Sequence, residues 1–117
     1  MGQAMPSAAG YASLTAAIGD RSVPVVVMGL GAVGLALVRL LLDAGFAVHG
    51  VDPAPGVVES LRQGKAPMRH FPPEWCADMK GHSRLNLTAG FQGFVGDRAP
   101  RVAIICVPTP LDEAGQP

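Results

Sequence analysis

Residues 25–34 read VVVMGLGAVG, and this stretch decides the fold. Three consecutive valines and a methionine, with no polar break, mark a strand buried on both faces rather than one that alternates. Glycines at 29, 31 and 34 follow at once, and an apolar run opens at Ala32. The pattern predicts a strand over 23–28, with Pro24 tolerated near its start, turning at the glycines into a helix over 32–44. Gly45 is placed to end that helix in a left-handed conformation.

Working outward, FAVHGV over 46–51 predicts a second strand. Residues 55–63 predict a second helix, with Pro55 near its first turn and Gly64 at its end. Pro67, Pro72 and Pro73 mark a loop, and 74–80 predicts a short helix with Trp75 and Met79 turned inward. RLNLT over 84–88 alternates like a short strand. A crossover helix belongs over 91–98, but Gly93 and Gly96 each cost it about 1 kcal/mol. RVAIICV over 101–107 predicts another strand buried on both faces, and prolines close the chain over 108–117. The leader, 1–22, holds a short helix over 11–18. Strands alternating with helices imply a parallel sheet joined by right-handed crossovers. The expected fold is therefore α/β, a Rossmann-type sheet of order 3-2-1-4, truncated after about four strands. The domain is expected to occupy 23–117.

Composition narrows the function. The 117 residues suit one domain or part of one. Nine basic residues balance nine acidic ones, which excludes a strongly basic nucleic-acid binder. Aromatic residues are only 5%, too few for base-stacking platforms. Cys76 and Cys106 form no CxxC and have no paired histidines nearby, so neither a zinc site nor a disulfide framework is expected. They read as reduced thiols, and the first 22 residues lack a secretory pattern, so a cytoplasmic setting is expected. Residues 23–42 carry one charge, Arg39, and are long enough to cross a membrane. Yet Pro24, the valine run, glycines off helix-dimer spacing and the lack of flanking cations argue against a span.

The chemistry lies in the glycine motif. Gly29 permits the tight turn, Gly31 lets the backbone approach a pyrophosphate, and Gly34 allows close packing of helix on sheet. Phosphates would meet free backbone N–H groups at the positive end of the helix dipole. Asp52, closing the second strand, stands where a carboxylate accepts hydrogen bonds from ribose hydroxyls. It is also placed to cap the following helix. The same carboxylate repels a ribose 2′-phosphate, and no arginine follows before Arg62, so NAD is favoured over NADP. After the strand over 101–107, the loop VPTPLDEAGQP faces the glycine turn across the crevice at the carboxyl ends of the strands. There the Thr109 hydroxyl is a candidate cofactor donor, with Pro108 and Pro110 stiffening the loop. Cys106 reads as an apolar filler of a buried strand, His49 as a packed or edge residue, and His82 as solvated loop. No Ser/His/Asp constellation and no catalytic pair of carboxylates is evident.

GLGAVGLALVRLLLDAGFAVHGVD, RQGKAPMRHF and ICVPTPLDEAGQP, in this order, resemble the start of the UDP-glucose/GDP-mannose dehydrogenase family over about 23–117. The resemblance is strongest to the branch that oxidises UDP-N-acetylhexosamines at C6 for polysaccharide synthesis, which also has a short leading helix. It implies an NAD-dependent oxidation of a C6 alcohol to a carboxylate. Leu30, Ala32 and Val33 would line the pyrophosphate with the three glycines, Asp52 would hold the ribose, and Pro108 and Thr109 would adjoin NAD. His70 falls in a stretch, PMRHF, that is similar to one in that branch. The family usually has Tyr where this chain has Ala32, and Asp after the third strand where it has Ala89 and Gly90.

The resemblance also implies that the catalytic cysteine, its supporting lysine, asparagine and glutamate, and the sugar-nucleotide domain lie beyond residue 117. The piece alone is then expected to bind no UDP-sugar, to be inactive, and to self-associate through an exposed sheet edge. The alternative is a stand-alone dinucleotide-binding module, or a subunit completed by a partner. The 6-phosphogluconate and 3-hydroxyacid dehydrogenases open similarly but lack a VPTPLDE-like block.

Overall fold

The computed structural model describes residues 8–69, 71–90 and 102–107. In chain order these form α1 (Ala8–Gly19), β1 (Val25–Met28), α2 (Ala32–Asp43), β2 (Val48–Val51), α3 (Val57–Arg62), α4 (Pro73–Met79), β3 (Leu85–Thr88) and β4 (Val102–Ile105). The four strands are all parallel, in the order β3-β2-β1-β4. This is the Rossmann-type arrangement read from the sequence. Each strand is shorter than expected by one to three residues, because pairing with its neighbours, not apolar content, sets where the ladder stops.

β1 is the central strand. Val25, Val26 and Val27 are all buried, and Val27 has no exposed surface. One buried layer joins Val25, Val27 and Val48 to Leu35, Val38 and Leu42 of α2. Positions 35, 38 and 42 recur at helical spacing, so a single stripe of α2 covers the sheet. Val58 and Leu61 of α3, and Cys76 and Met79 of α4, extend the same layer, with Leu87 from β3. Gly45, with φ +99°, stops α2: its N–H donates to Leu42 and that of Phe46 to Leu41. This is the paired-carbonyl ending that a left-handed residue allows. The Arg84 guanidinium, arriving from the start of β3, donates to the Leu42 carbonyl at 2.7 Å.

The apolar stretch 23–42 is divided between β1, a turn and α2, and no helix of the described residues is long and apolar enough to cross a membrane. α4 is fastened to α2 by Arg39. Its guanidinium lies 4.9 Å from the centre of the Trp75 ring and 3.4 Å from the Asp78 carboxylate.

Two expectations need correction. β4 is not buried on both faces: Ala103, Ile105 and Val107 are exposed, Ile105 at 67%, while Val102, Ile104 and Cys106 are half-buried. A strand at the edge of the described sheet, with β1 on one side only, has less to cover it than its apolar sequence suggests. Trp75 is turned inward as expected, half-buried and packed against the core with Met79, and Cys76 between them is fully buried. His82 is half-buried rather than solvated, its Nδ1 accepting the Arg84 N–H at 3.1 Å. The expected helix over 91–98, residue His70 and the loop 108–117 lie outside the described residues.

Candidate cofactor site

Parallel pairing brings the carboxyl ends of β1, β2 and β4 to one rim. At the end of β1 the chain turns at Gly29, whose φ is +96° and whose N–H donates to the Val51 carbonyl at 2.8 Å. A side chain at Gly29 would place Cβ 2.7 Å from the Cys106 carbonyl, so both the backbone conformation and the approach of β4 demand glycine. At Gly34 a Cβ would lie 1.7 Å from the Gly29 carbonyl oxygen. The first turn of α2 therefore rests directly on the turn that precedes it. Gly31 differs from both: a Cβ there would meet nothing within 4 Å, and the residue faces open space. It is the N-cap of α2, extended at φ −76°, with no side chain capping it. The N–H groups of the first turn of a helix have no partner within the helix, and they point out of its end.

Asp52 follows β2 directly. One carboxylate oxygen accepts the Leu30 N–H and the other the Ala54 N–H, each at 2.8 Å. The first bond ties the end of β2 to the glycine turn, and the second folds the chain back after the strand. The expected helix-capping role is not observed: α3 begins after Gly56, in a left-handed conformation with no side-chain cap. A carboxylate has about four acceptor positions, so two remain for a ligand.

Gly29, Gly31, Ala32, Val33 and Asp52 line a single open cleft of about 500 Å³, together with Ala54, Cys106 and Val107. Gly34 is buried against the Gly29 carbonyl and does not line the cleft. Leu30 is set differently from its neighbours: its side chain is buried in the core and its N–H is engaged by Asp52. Only its position in the turn is shared with the cleft. Cys106 packs against the core, but not within a buried strand. It lies one residue beyond β4, its N–H donating to the Met28 carbonyl at 2.6 Å, and its half-buried side chain borders the cleft. Sequence reading missed Ala54, Cys106 and Val107. The usable signal was the parallel register, which pairs Met28 with Ile105 and so carries Cys106 to the level of Gly29. Pro108 and Thr109, continuing from there, lie outside the described residues.

The two cysteines are free thiols in unlike settings. Cys76 is fully buried, and burial pushes its thiol pKa up. His49 on β2 has its pKa lowered by burial, and its Nε2 lies 2.9 Å from the Thr88 hydroxyl. Among the described residues no group of three or more His, Cys, Asp or Glu is placed to hold a metal ion.

This geometry suits a dinucleotide. Helix N–H groups with no partner inside the helix lie beside a space kept clear at Gly31, and a carboxylate with spare acceptor positions stands next to it. Comparisons with known proteins agree. GDP-mannose dehydrogenase from Pseudomonas aeruginosa superposes with a TM-score of 0.66 at 30% identity, over 79% of this chain and 21% of that one. UDP-N-acetyl-mannosamine dehydrogenase Cap5O from Staphylococcus aureus gives 0.63 at 25% identity, over 77% and 21%. The UDP-D-ManNAc dehydrogenase of Pyrococcus horikoshii gives 0.65 at 27%, over 76% and 21%. The chain thus spans about a fifth of the length of these solved relatives. No curated protein matches it. The model of the UDP-glucose/GDP-mannose dehydrogenase family, NAD binding domain, matches residues 23–117, and its cofactor accords with the cleft. The chain belongs to the UDP-glucose/GDP-mannose dehydrogenase family, of which it carries the NAD-binding domain.

Proposed function

We propose that this chain supplies the NAD-binding portion of a nucleotide-sugar 6-dehydrogenase, acting on a UDP-N-acetylhexosamine or UDP-glucose and forming the carboxylate with two NAD. NAD, when bound, accepts the hydride that leaves the alcohol carbon. The chain's own residues do the holding. The first-turn N–H groups at Ala32 and Val33 receive the diphosphate, Gly31 leaves room for it, and Asp52 accepts the hydroxyls of the adjoining ribose. Gly29 and Gly34 keep turn and helix close enough for those groups to converge. Pro108 and Thr109 are assigned to the opposite wall, continuing from Cys106 and Val107.

The observation that carries this reading is the Asp52 carboxylate, bonded to the glycine turn and open to the cleft beside Gly31. The UDP-N-acetylhexosamine class is supported by two of the structural relatives, which are UDP-N-acetylmannosamine dehydrogenases. Oxidation through the aldehyde needs a thiolate to hold it between the two steps. Neither Cys76, buried in α4, nor Cys106, at the end of β4, matches the family's cysteine, so the 117 residues by themselves are assigned binding without turnover. The domain is placed at 23–117, with 1–22 as a leader. The free thiols accord with a reducing, cytoplasmic setting.

Calorimetric titration of NAD into the protein and into Asp52→Ala tests the reading. Affinity is expected to fall at least about tenfold in the variant, since ribose bonds to a charged acceptor are lost along with the tie to the turn. Equal affinity in both proteins removes Asp52 from the site.

A further inference from the structure

We propose that His49 is a positioning residue for the adenosine half of the cofactor, acting through Thr88 on the turn that follows β3. The inference rests on the cofactor reading above. A dinucleotide anchored by its diphosphate at the start of α2, with one ribose at Asp52, extends that half along the carboxyl ends of β2 and β3. Parallel pairing sets the end of β3 beside that of β2, so Ala89 and Gly90 follow at the same rim as Asp52.

That backbone is held by side chains. Thr88 ends β3 opposite Val51, and its carbonyl accepts the Asp52 N–H at 3.2 Å. Its hydroxyl donates to the Gly90 carbonyl at 2.8 Å. A hydroxyl has one hydrogen to give. Toward His49 Nε2, 2.9 Å away, the same oxygen therefore acts as acceptor, which requires the hydrogen of the ring on Nε2. The result is a directed chain from His49 Nε2–H to the Thr88 hydroxyl to the Gly90 carbonyl, running beside the Asp52 amide. It fixes the orientation of the turn after β3 relative to the ribose acceptor. Protonation of the ring leaves the Nε2 hydrogen in place, so the chain does not depend on the charge of His49.

The test is calorimetric titration of ADP-ribose, the adenosine half with its diphosphate and one further ribose. It compares Thr88→Val with Thr88→Ser, His49→Leu with His49→Gln, and Asp52→Ala, with melting temperatures in parallel. Thr88→Val and His49→Leu are expected to weaken binding about three- to tenfold, the effect of one net hydrogen bond. Thr88→Ser keeps the hydroxyl and His49→Gln keeps an N–H near the Nε2 position, so both are expected to bind within about twofold of the parent. Rescue by the conservative partner is an effect that bulk destabilisation does not produce. If Thr88→Val fails to fold, the His49 pair carries the comparison. Affinities unchanged in Thr88→Val and His49→Leu, with Asp52→Ala weakened, overturn the positioning role and leave the cofactor reading intact. Absence of ADP-ribose binding to the parent overturns both.

Discussion

Gly31 and Gly34 stand three positions apart in one motif, yet a methyl group has opposite consequences at the two. At Gly34 it meets the Gly29 carbonyl at 1.7 Å, and backbone must move. Gly34→Ala is expected to cost more than about 3 kcal/mol, the upper range for overpacking, and to abolish NAD binding with the fold. At Gly31 the methyl meets nothing. Gly31→Ala is expected to lose no more than about 1 kcal/mol from the poorer helix cap, while NAD affinity falls at least about tenfold because the diphosphate's space is filled. Thermal melts and calorimetric titration of the two variants separate a structural glycine from a binding one. Similar melting temperatures for the two would contradict this division. Cysteine labelling offers a second test at this scale. Cys106 borders the cleft whereas Cys76 is fully buried with its thiol pKa raised. One thiol is therefore expected to react with a thiol-specific reagent in the native protein, and saturating NAD is expected to slow it. Mass spectrometry that finds the label on Cys76 first would refute the placement.

At the scale of elements, β2 and β3 carry a pH response. Burial holds the His49 imidazole below its ordinary value near 6.5. As the pH falls, the unfolded chain therefore takes up the proton before the folded one does. Stability is full above the ordinary value and declines as the pH passes down through it toward the lower folded value. His49→Gln, which does not titrate, is expected to flatten that decline in denaturant melts between about pH 7 and 5. A parent and variant with parallel profiles would assign the acid sensitivity elsewhere. The same elements show which features the sequence made legible. The valines of β1 and the stop at Gly45 followed from local pattern, because each depends on residues adjacent in the chain. β4 did not, since an apolar run reads alike whether a neighbour covers it or not. Asp52 was legible as the acid that closes β2. Its bond to the Leu30 amide was not, because that contact joins residues brought together only when β1 and β2 pair.

For the molecule as a whole, the described sheet ends at β4, which pairs with β1 on one side only. Ile105 and Val107 stand exposed beside its open edge. Unpaired strand groups next to apolar side chains template further pairing. We propose that a polypeptide of these 117 residues joins to a second copy there. Sedimentation velocity is expected to show a concentration-dependent dimer or larger species, and Ile105→Lys is expected to shift it toward monomer. A monomer at all concentrations in the parent would exclude the edge as a contact.

The sequence by itself determined the strand–turn–helix unit, the parallel α/β class and the dinucleotide, since glycine spacing and valine runs constrain backbone that is local. Tertiary structure alone decided that Leu30 is turned into the core, that Cys106 borders the cleft, that Asp52 braces the glycine turn rather than capping α3, and that His49 reaches Gly90 through Thr88. The physical reason is that register and crossover place residues from distant segments within hydrogen-bond reach, and no periodicity along a single segment encodes that distance.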